Sequence, residues 1–387
     1  MSGGDDWQRS ARVQVISLLR DHGPLHRADL ARRAGRSRST ITAVVAELVR
    51  QGLVVRLSAT APGRRGRGRP GELVALSEDA ALVLGVEFTI NRVRAALGSL
   101  DRRIVATSDV ELFPGQSWST RLDTGVQLVQ QLAARAGVRT SRIVAAGLGV
   151  PAPIELASGL LGSVAAANVA GPNPAGDVGR RLKLPVVVDN SARLEALAEV
   201  VWGAGNGARN VVYIKLDHGV GGGLVLDGRL FRGALGIAGE IGHISVNDGG
   251  LECPCGNRGC LEMYASIPAL LKVCRRSLGP RATFDDLVTE VRRGEPSCVR
   301  AVGEVGRLVG TVLANACNLL DPELVVVGGG LAGLGSVLLE PLRAGVEKGG
   351  LASYRGGVPV KTSRLGDDAG VLGAVGLALR HRTNSRR

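Results

Sequence analysis

Apolar positions between residues 13 and 49 recur at helical spacing in three short stretches. Val13, Ile16, Leu18 and Leu19 precede Gly23-Pro24. Leu30 and Ala31 lie on the inner side of a stretch from Arg27 to Ala34. Ile41, Val44, Val45, Leu48 and Val49 make the stripe of a third helix that Gly52 stops. Gly35 permits a sharp turn, and Ser37 or Ser39 can cap the third helix. The period then changes. Leu53–Leu57 and Glu72–Leu76 read as two strands around the tip GRRGRGRPG. Helix, turn, helix and a two-stranded wing predict a winged helix-turn-helix over residues 1–78.

Beyond it, strand and helix patterns alternate. Residues 83–97 and 102–111 alternate like antiparallel strands, and 119–136 carry a helical stripe of Leu122, Val126, Val129 and Leu132. A buried strand is expected over 143–154, another over 184–189, and a helix over 192–202. Residues 211–230 read as strand, Gly-rich turn and strand. A helix over 299–320, the strand ELVVVGG and helices over 334–346 and 370–380 follow. This alternation predicts an α/β body.

Charge changes the picture at one end. The chain of 387 residues carries a net +13. Residues 1–78 alone hold 14 Arg against 7 acidic side chains, so about half of that excess sits in a fifth of the length. A cationic helix-turn-helix points to double-stranded DNA. The third helix would enter the major groove, with Arg36, Arg38, Ser39, Thr40 and Thr42 as the candidate contacts. Arg64, Arg65, Arg67 and Arg69 in the wing tip suit backbone phosphates or a narrow minor groove. The apolar runs are short and broken by glycine, and MSGGDDWQRS has no apolar core. Neither a membrane span nor a secretory signal is expected, and the protein reads as cytoplasmic.

The densest chemistry lies in the segment 240–262. His243, Cys253, Cys255 and Cys260 supply one imidazole and three thiols, a soft, four-coordinate and closed set that describes structural zinc. Four protein ligands leave no open position for metal catalysis. Gly249, Gly250, Gly256 and Gly259 allow the backbone to turn tightly around the ion. Cys274, Cys298 and Cys317 fall in helical contexts and read as core.

This segment resembles the signature of the ROK family, named for repressors, open reading frames and sugar kinases, and the resemblance spans about residues 10–380. It implies a two-lobed α/β body of the actin-like, sugar-kinase-like (ribonuclease H-like) fold. The lobes would comprise residues 79–193, with a C-terminal helix 370–382 returning to the first, and residues 194–369. It implies that Glu240, His243 and Glu262 hold sugar hydroxyls, with His243 binding zinc through its other ring nitrogen, and that Asn168 and Asn190 contact the same sugar. It also implies a homodimer or homotetramer. Two parts of the family's kinases are replaced. Glu87-Phe88-Thr89-Ile90-Asn91 stands where an Asp and two Gly cradle phosphates, and Asn190-Ser191 stands where Asn-Asp supplies the general base. Asp189 would point away from the pocket in an extended segment. Gly219, Gly221, Gly222 and Gly223 could still face a phosphate. The expectation is a DNA-binding transcriptional regulator, a repressor of carbohydrate-related genes without catalytic residues, whose sugar effector binds between the lobes. The alternative is an ATP-dependent, glucokinase-like sugar kinase that keeps a DNA-binding head.

Overall fold

The computed structural model describes residues 3–50, 52–57, 72–77, 81–113, 115–155, 158–161, 170–350 and 357–384. The chain divides into two compact units: Met1–Leu148 with Ala167–Val188 and Ala374–Arg387, and Gly149–Ala166 with Asp189–Gly373.

The head follows its apolar pattern closely. Helix α1 (Gly3–His22), strand β1 (Leu25–His26), α2 (Arg27–Ala34) and α3 (Arg38–Arg50) lead into β2 (Val54–Leu57) and β3 (Leu73–Leu76). Leu30, Ile41, Val45 and Leu48 are buried with Val15 and Leu19 of α1. Gly35 ends α2 in the left-handed conformation, φ 61°, which a side chain would resist. Ser37, not Ser39, caps α3, its Oγ accepting the Thr40 amide at 3.1 Å. The three strands pair antiparallel in the order β1-β3-β2, so the wing hairpin is anchored on a strand of the helical part.

The body of the first unit holds β4 (Leu82–Phe88), β5 (Arg92–Gly98), β6 (Ile104–Glu111), α4 (Trp118–Arg135), β7 (Ile143–Val150), α5 (Pro174–Leu182) and β8 (Val186–Asn190). Its sheet runs β6-β5-β4-β7-β8. Residues 83–97 form two strands of a hairpin, because the chain reverses at Thr89–Asn91. Thr89 Oγ1 donates to the Arg92 carbonyl at 3.1 Å, and the buried Arg121 guanidinium of α4 binds the Thr89 and Ile90 carbonyls. Asp21 of α1 pairs with Arg102 in the β5–β6 turn at 3.4 Å, which ties head to body inside this unit.

The second unit continues with α6 (Ser191–Val201), β9 (Val211–Leu216), β10 (Val220–Leu226), β11 (Arg229–Phe231), three short helices α7 (Glu262–Ala265), α8 (Ile267–Val273) and α9 (Arg275–Leu278), then α10 (Phe284–Arg293), α11 (Pro296–Leu320), β12 (Leu324–Gly328), α12 (Ser336–Gly349) and β13 (Val360–Thr362). Its sheet, β11-β10-β9-β12-β13, repeats the order of the first: an antiparallel three-strand meander, then two strands reached by crossovers. The core beneath it joins Ile214, Leu216, Val325 and Val327 to Val305, Val309, Leu313, Leu338 and Leu342 of α11 and α12. The break between the compact units falls after Val188. Helix α6 is committed to the second sheet, where Ala192 and Ala196 lie against β10.

Helix α13 (Ala369–Asn384) belongs to the first unit from Ala374 onward. It packs so closely on β7 that a Cβ at Gly147 would overlap the Ala374 carbonyl. Gly147→Ala is therefore expected to destabilise the protein by about 1–3 kcal/mol, the usual range for overpacking. Urea unfolding measures this, and an unchanged midpoint would contradict the seating of α13 on β7.

Candidate metal centre and effector site

His243 closes a single helical turn, Ile241–His243, and the loop after it doubles back twice. Ser245 bridges to Cys260 and Glu252 to Arg258, while the Cys253 amide donates to the Asn257 carbonyl at 2.8 Å. Gly256 and Gly259 take φ of 94° and 70°, conformations that permit these reversals. The result gathers the ligand atoms of His243, Cys253, Cys255 and Cys260 within 4.8 Å of one another. Cys253 Sγ lies 3.7 Å from His243 Nδ1, and Cys255 Sγ lies 3.6 Å from Cys260 Sγ. A tetrahedron with zinc–sulfur bonds of about 2.3 Å has edges of about 3.7 Å, so the set fits such an ion. Burial pushes the Cys260 thiol up to about 12 and raises Cys253, whereas the Asn257 amide lowers Cys255. Buried thiolates of this kind need a cation beside them. Because Nδ1 faces Cys253, Nε2 is the ring nitrogen left for a ligand.

The metal loop sets the neighbouring acids. Burial raises the Glu240 carboxyl; Arg193 and His243 pull it back, and Glu262 adds to the rise. Glu240 therefore lies within the electrostatic reach of Arg193, His243 and Glu262. Glu262 opens α7 and its Oε2 accepts the Val220 amide at 2.9 Å. Its carboxylate fits because Gly219 has no Cβ, which would stand 2.8 Å from Oε2. Asn190 caps α6, its Oδ1 accepting the Ala192 amide at 2.8 Å, and its side-chain N–H groups remain to donate. The Ser191 hydroxyl is buried without a partner among the described residues, which leaves it for a water or a ligand hydroxyl.

Asp189 lies in strand β8 and is held by two arginines. It is 2% exposed, and both oxygens are taken: Oδ1 by Arg193 Nε at 2.7 Å, Oδ2 by Arg232 Nε at 2.6 Å. Neither arginine stood out in the sequence, although the Asp189–Arg193 spacing of four and an Arg within an apolar helix were signals.

Of the glycines that could face a phosphate, Gly221, Gly222 and Gly223 are closely packed. Gly221, Gly222 and Gly223 are ladder positions of β10, opposite Lys215, Ile214 and Tyr213. A Cβ on Gly221 or Gly223 would stand 2.7 Å or 2.6 Å from the Ala192 or Ala196 Cβ, and one on Gly222 would meet the Gly239 carbonyl. In the first unit, Phe88 meets Trp118 edge-on at 5.0 Å beside the Thr89–Asn91 turn.

In the head, Arg38, Ser39 and Thr42 are exposed at the start of α3 and Thr40 is half-buried. Arg36 is held by Gln14 of α1 at 3.1 Å, so it braces the turn. Arg64, Arg65, Arg67, Arg69 and Asn168 lie outside the described residues.

Residues 83–381 match the ROK family. The chain belongs to the ROK family. Residues 9–65 match the MarR family, in agreement with the winged helix-turn-helix. This ROK protein is 26% identical over 383 residues to the xylose repressor of Caldicellulosiruptor bescii, covering 95% of each chain. A solved ROK family transcriptional regulator, a homolog of the Escherichia coli Mlc protein, covers 98% of this chain and 97% of its own with TM-score 0.84. At 24% identity that likeness is one of fold. A ROK family glucokinase from Streptomyces griseus, in complex with glucose and AMPPNP, is 29% identical with TM-score 0.68, over 78% of this chain and all of its own. No helix among the described residues is long and apolar enough to cross a membrane.

Purified protein is expected to carry one metal ion per chain by elemental analysis. Cys260→Ser should lose it and melt at a lower temperature, since ligands in a metal loop contribute folding energy. Stoichiometric metal retained in that variant would rule out the four-residue set.

Proposed function

We propose that this ROK protein is a DNA-binding transcriptional regulator, a repressor acting as a dimer or tetramer, whose affinity for its operator is set by an unmodified sugar. The effector residues are Asn190, Glu240, His243 and Glu262, with Asn168 joining them, and the bound metal is zinc in a structural role. Carboxylates accept sugar hydroxyls, while His243 Nε2 and the Asn190 amide donate to them, a mixture that suits a polyol. The zinc holds His243 and the loop in place and takes no part in a reaction.

One observation carries the choice of regulator over kinase. Phosphoryl transfer to a sugar needs a carboxylate placed to accept the hydroxyl proton. Ser191 occupies the matching position, and the adjacent Asp189 has both oxygens engaged by Arg193 and Arg232. The Gly221–Gly223 run, filled by α6 and the Gly239 carbonyl, supports the same reading. The head supplies what a kinase has no use for: exposed Arg38, Ser39 and Thr42 at the start of a helix shaped for the major groove.

Duplexes selected from genomic DNA by the full-length protein should bind specifically, and a sugar panel that includes D-xylose and D-glucose should contain one member that lowers the affinity. The same preparation should show no ATP-dependent turnover of those sugars. Turnover at ordinary enzymatic rates, about 1–1000 per second, would reverse the assignment. Arg38→Ala is expected to weaken operator binding by about 1–3 kcal/mol if it reads a base, or to lower the salt dependence by about one counterion if it meets a phosphate. Titrations at two salt concentrations distinguish these, and an unchanged affinity would remove α3 from the interface.

A further inference from the structure

The segment from Arg232 to Glu240 has no regular secondary structure. Leu235 and Ile237 are 70% and 57% exposed, and of its apolar side chains Ala238 packs against the core. Gly233, Gly236 and Gly239 take φ of 72°, 86° and 88°, a region that glycine enters readily because it has no Cβ. Its internal hydrogen bonds are few, with the Ala238 amide donating to the Arg232 carbonyl at 3.1 Å. Yet this segment delivers Glu240.

Its far end rests on β10, where Gly239 lies against Gly222 and Gly223, and its start and middle are tied to one carboxylate. Asp189 Oδ2 accepts from Arg232 Nε at the start of the segment, 2.6 Å. Asp189 Oδ1 accepts from Arg193 Nε, 2.7 Å, and Arg193 Nη1 donates onward to the Gly236 carbonyl in the middle. The same Oδ1 accepts the backbone amide of Asn190 at 2.8 Å. Arg193 is 1% exposed, so the pair is out of water. A buried ion pair is weak evidence for stability, and its best-attested use is to select one arrangement among several. Here the arrangement selected joins Asn190 and Glu240, which lie fifty positions apart.

We propose that Asp189, Arg193 and Arg232 form a buried clasp that holds the 232–240 segment in its sugar-accepting shape, making the two arginines positioning residues for the effector. The inference rests on the sugar-binding reading of Glu240 for its functional consequence, but the clasp itself has a readout that does not.

The decisive variant is Arg232→Met, because Arg232 is partly exposed and its loss leaves Asp189 paired with Arg193. Amide hydrogen exchange on full-length protein should show residues 233–240 exchanging faster in Arg232→Met, with Arg232→Lys restoring part of the protection. Where D-xylose or D-glucose binds the wild type, Arg232→Met and Asp189→Asn should weaken that binding about tenfold to a hundredfold, the range seen when orienting partners are removed. Metal content and sugar-free operator affinity should stay unchanged. Should Asp189→Asn not fold, Arg232→Met decides. Exchange of 233–240 at the wild-type rate in Arg232→Met overturns the clasp. Faster exchange with sugar affinity unchanged overturns its role in effector binding. A wild type that binds neither sugar counts against the sugar reading, while the exchange result still decides the clasp.

Discussion

The contact on which the second unit depends is the direct seating of α6 on β10. It exists because Gly221 and Gly223 present no side chains toward the helix and Ala192 and Ala196 present the smallest ones toward the strand. Backbone then lies close to backbone, as dense packing of an interior requires. That approach sets Asn190 and Ser191, at the first turn of α6, relative to Gly219 and Val220 at the first turn of β10. Through Val220 it also sets Glu262. The glycines look like a phosphate cradle when read as a string. In three dimensions they are the reason the helix fits.

Helix α6 is unusual in what it buries. Every residue from Ser191 to Glu199 is inaccessible, including Arg193, Glu195 and Glu199. Each of these three is hydrogen-bonded, although Arg193 Nη2 has no partner among the described residues. Glu195 accepts from the Tyr213 hydroxyl and pairs with Lys215, both at 2.6 Å. Glu199 accepts from the Ser363 hydroxyl and the Ala204 amide at 2.6 Å, and from the Leu365 amide at 3.1 Å. Buried charges persist only with such partners. The three residues draw partners from three different segments, so one helix locates the 232–240 loop, strand β9 and the turn before α13.

The metal loop provides the complementary constraint. Its four ligands are gathered by two tight reversals, and the ion they fit would lock His243 Nδ1 and turn Nε2 outward. Glu240 precedes His243 by three residues and Glu262 follows Cys260 by two, so closing the loop brings both acids to one place. A bound ion on one side and the Asp189–Arg193–Arg232 network on the other would thus both constrain the surroundings of Glu240.

Much of this was legible in the amino-acid sequence, because it depends on neighbours along the chain. Helical and strand periods located the head, with α2 placed residue for residue, and residue type and spacing marked the ligand set of His243, Cys253, Cys255 and Cys260. What sequence could not reach were relations between distant segments. Asp189 was expected to turn aside, but only the fold brings Arg232 to it from forty-three positions away and so gives the carboxylate a task. Gly221 to Gly223 had two meanings until α6 was in place, and residues 83–97 were one alternating run until Arg121 bound the carbonyls at their turn. Local pattern is written in the order of residues, whereas the choice among uses for a buried charge or a bare backbone belongs to whatever tertiary structure places opposite it.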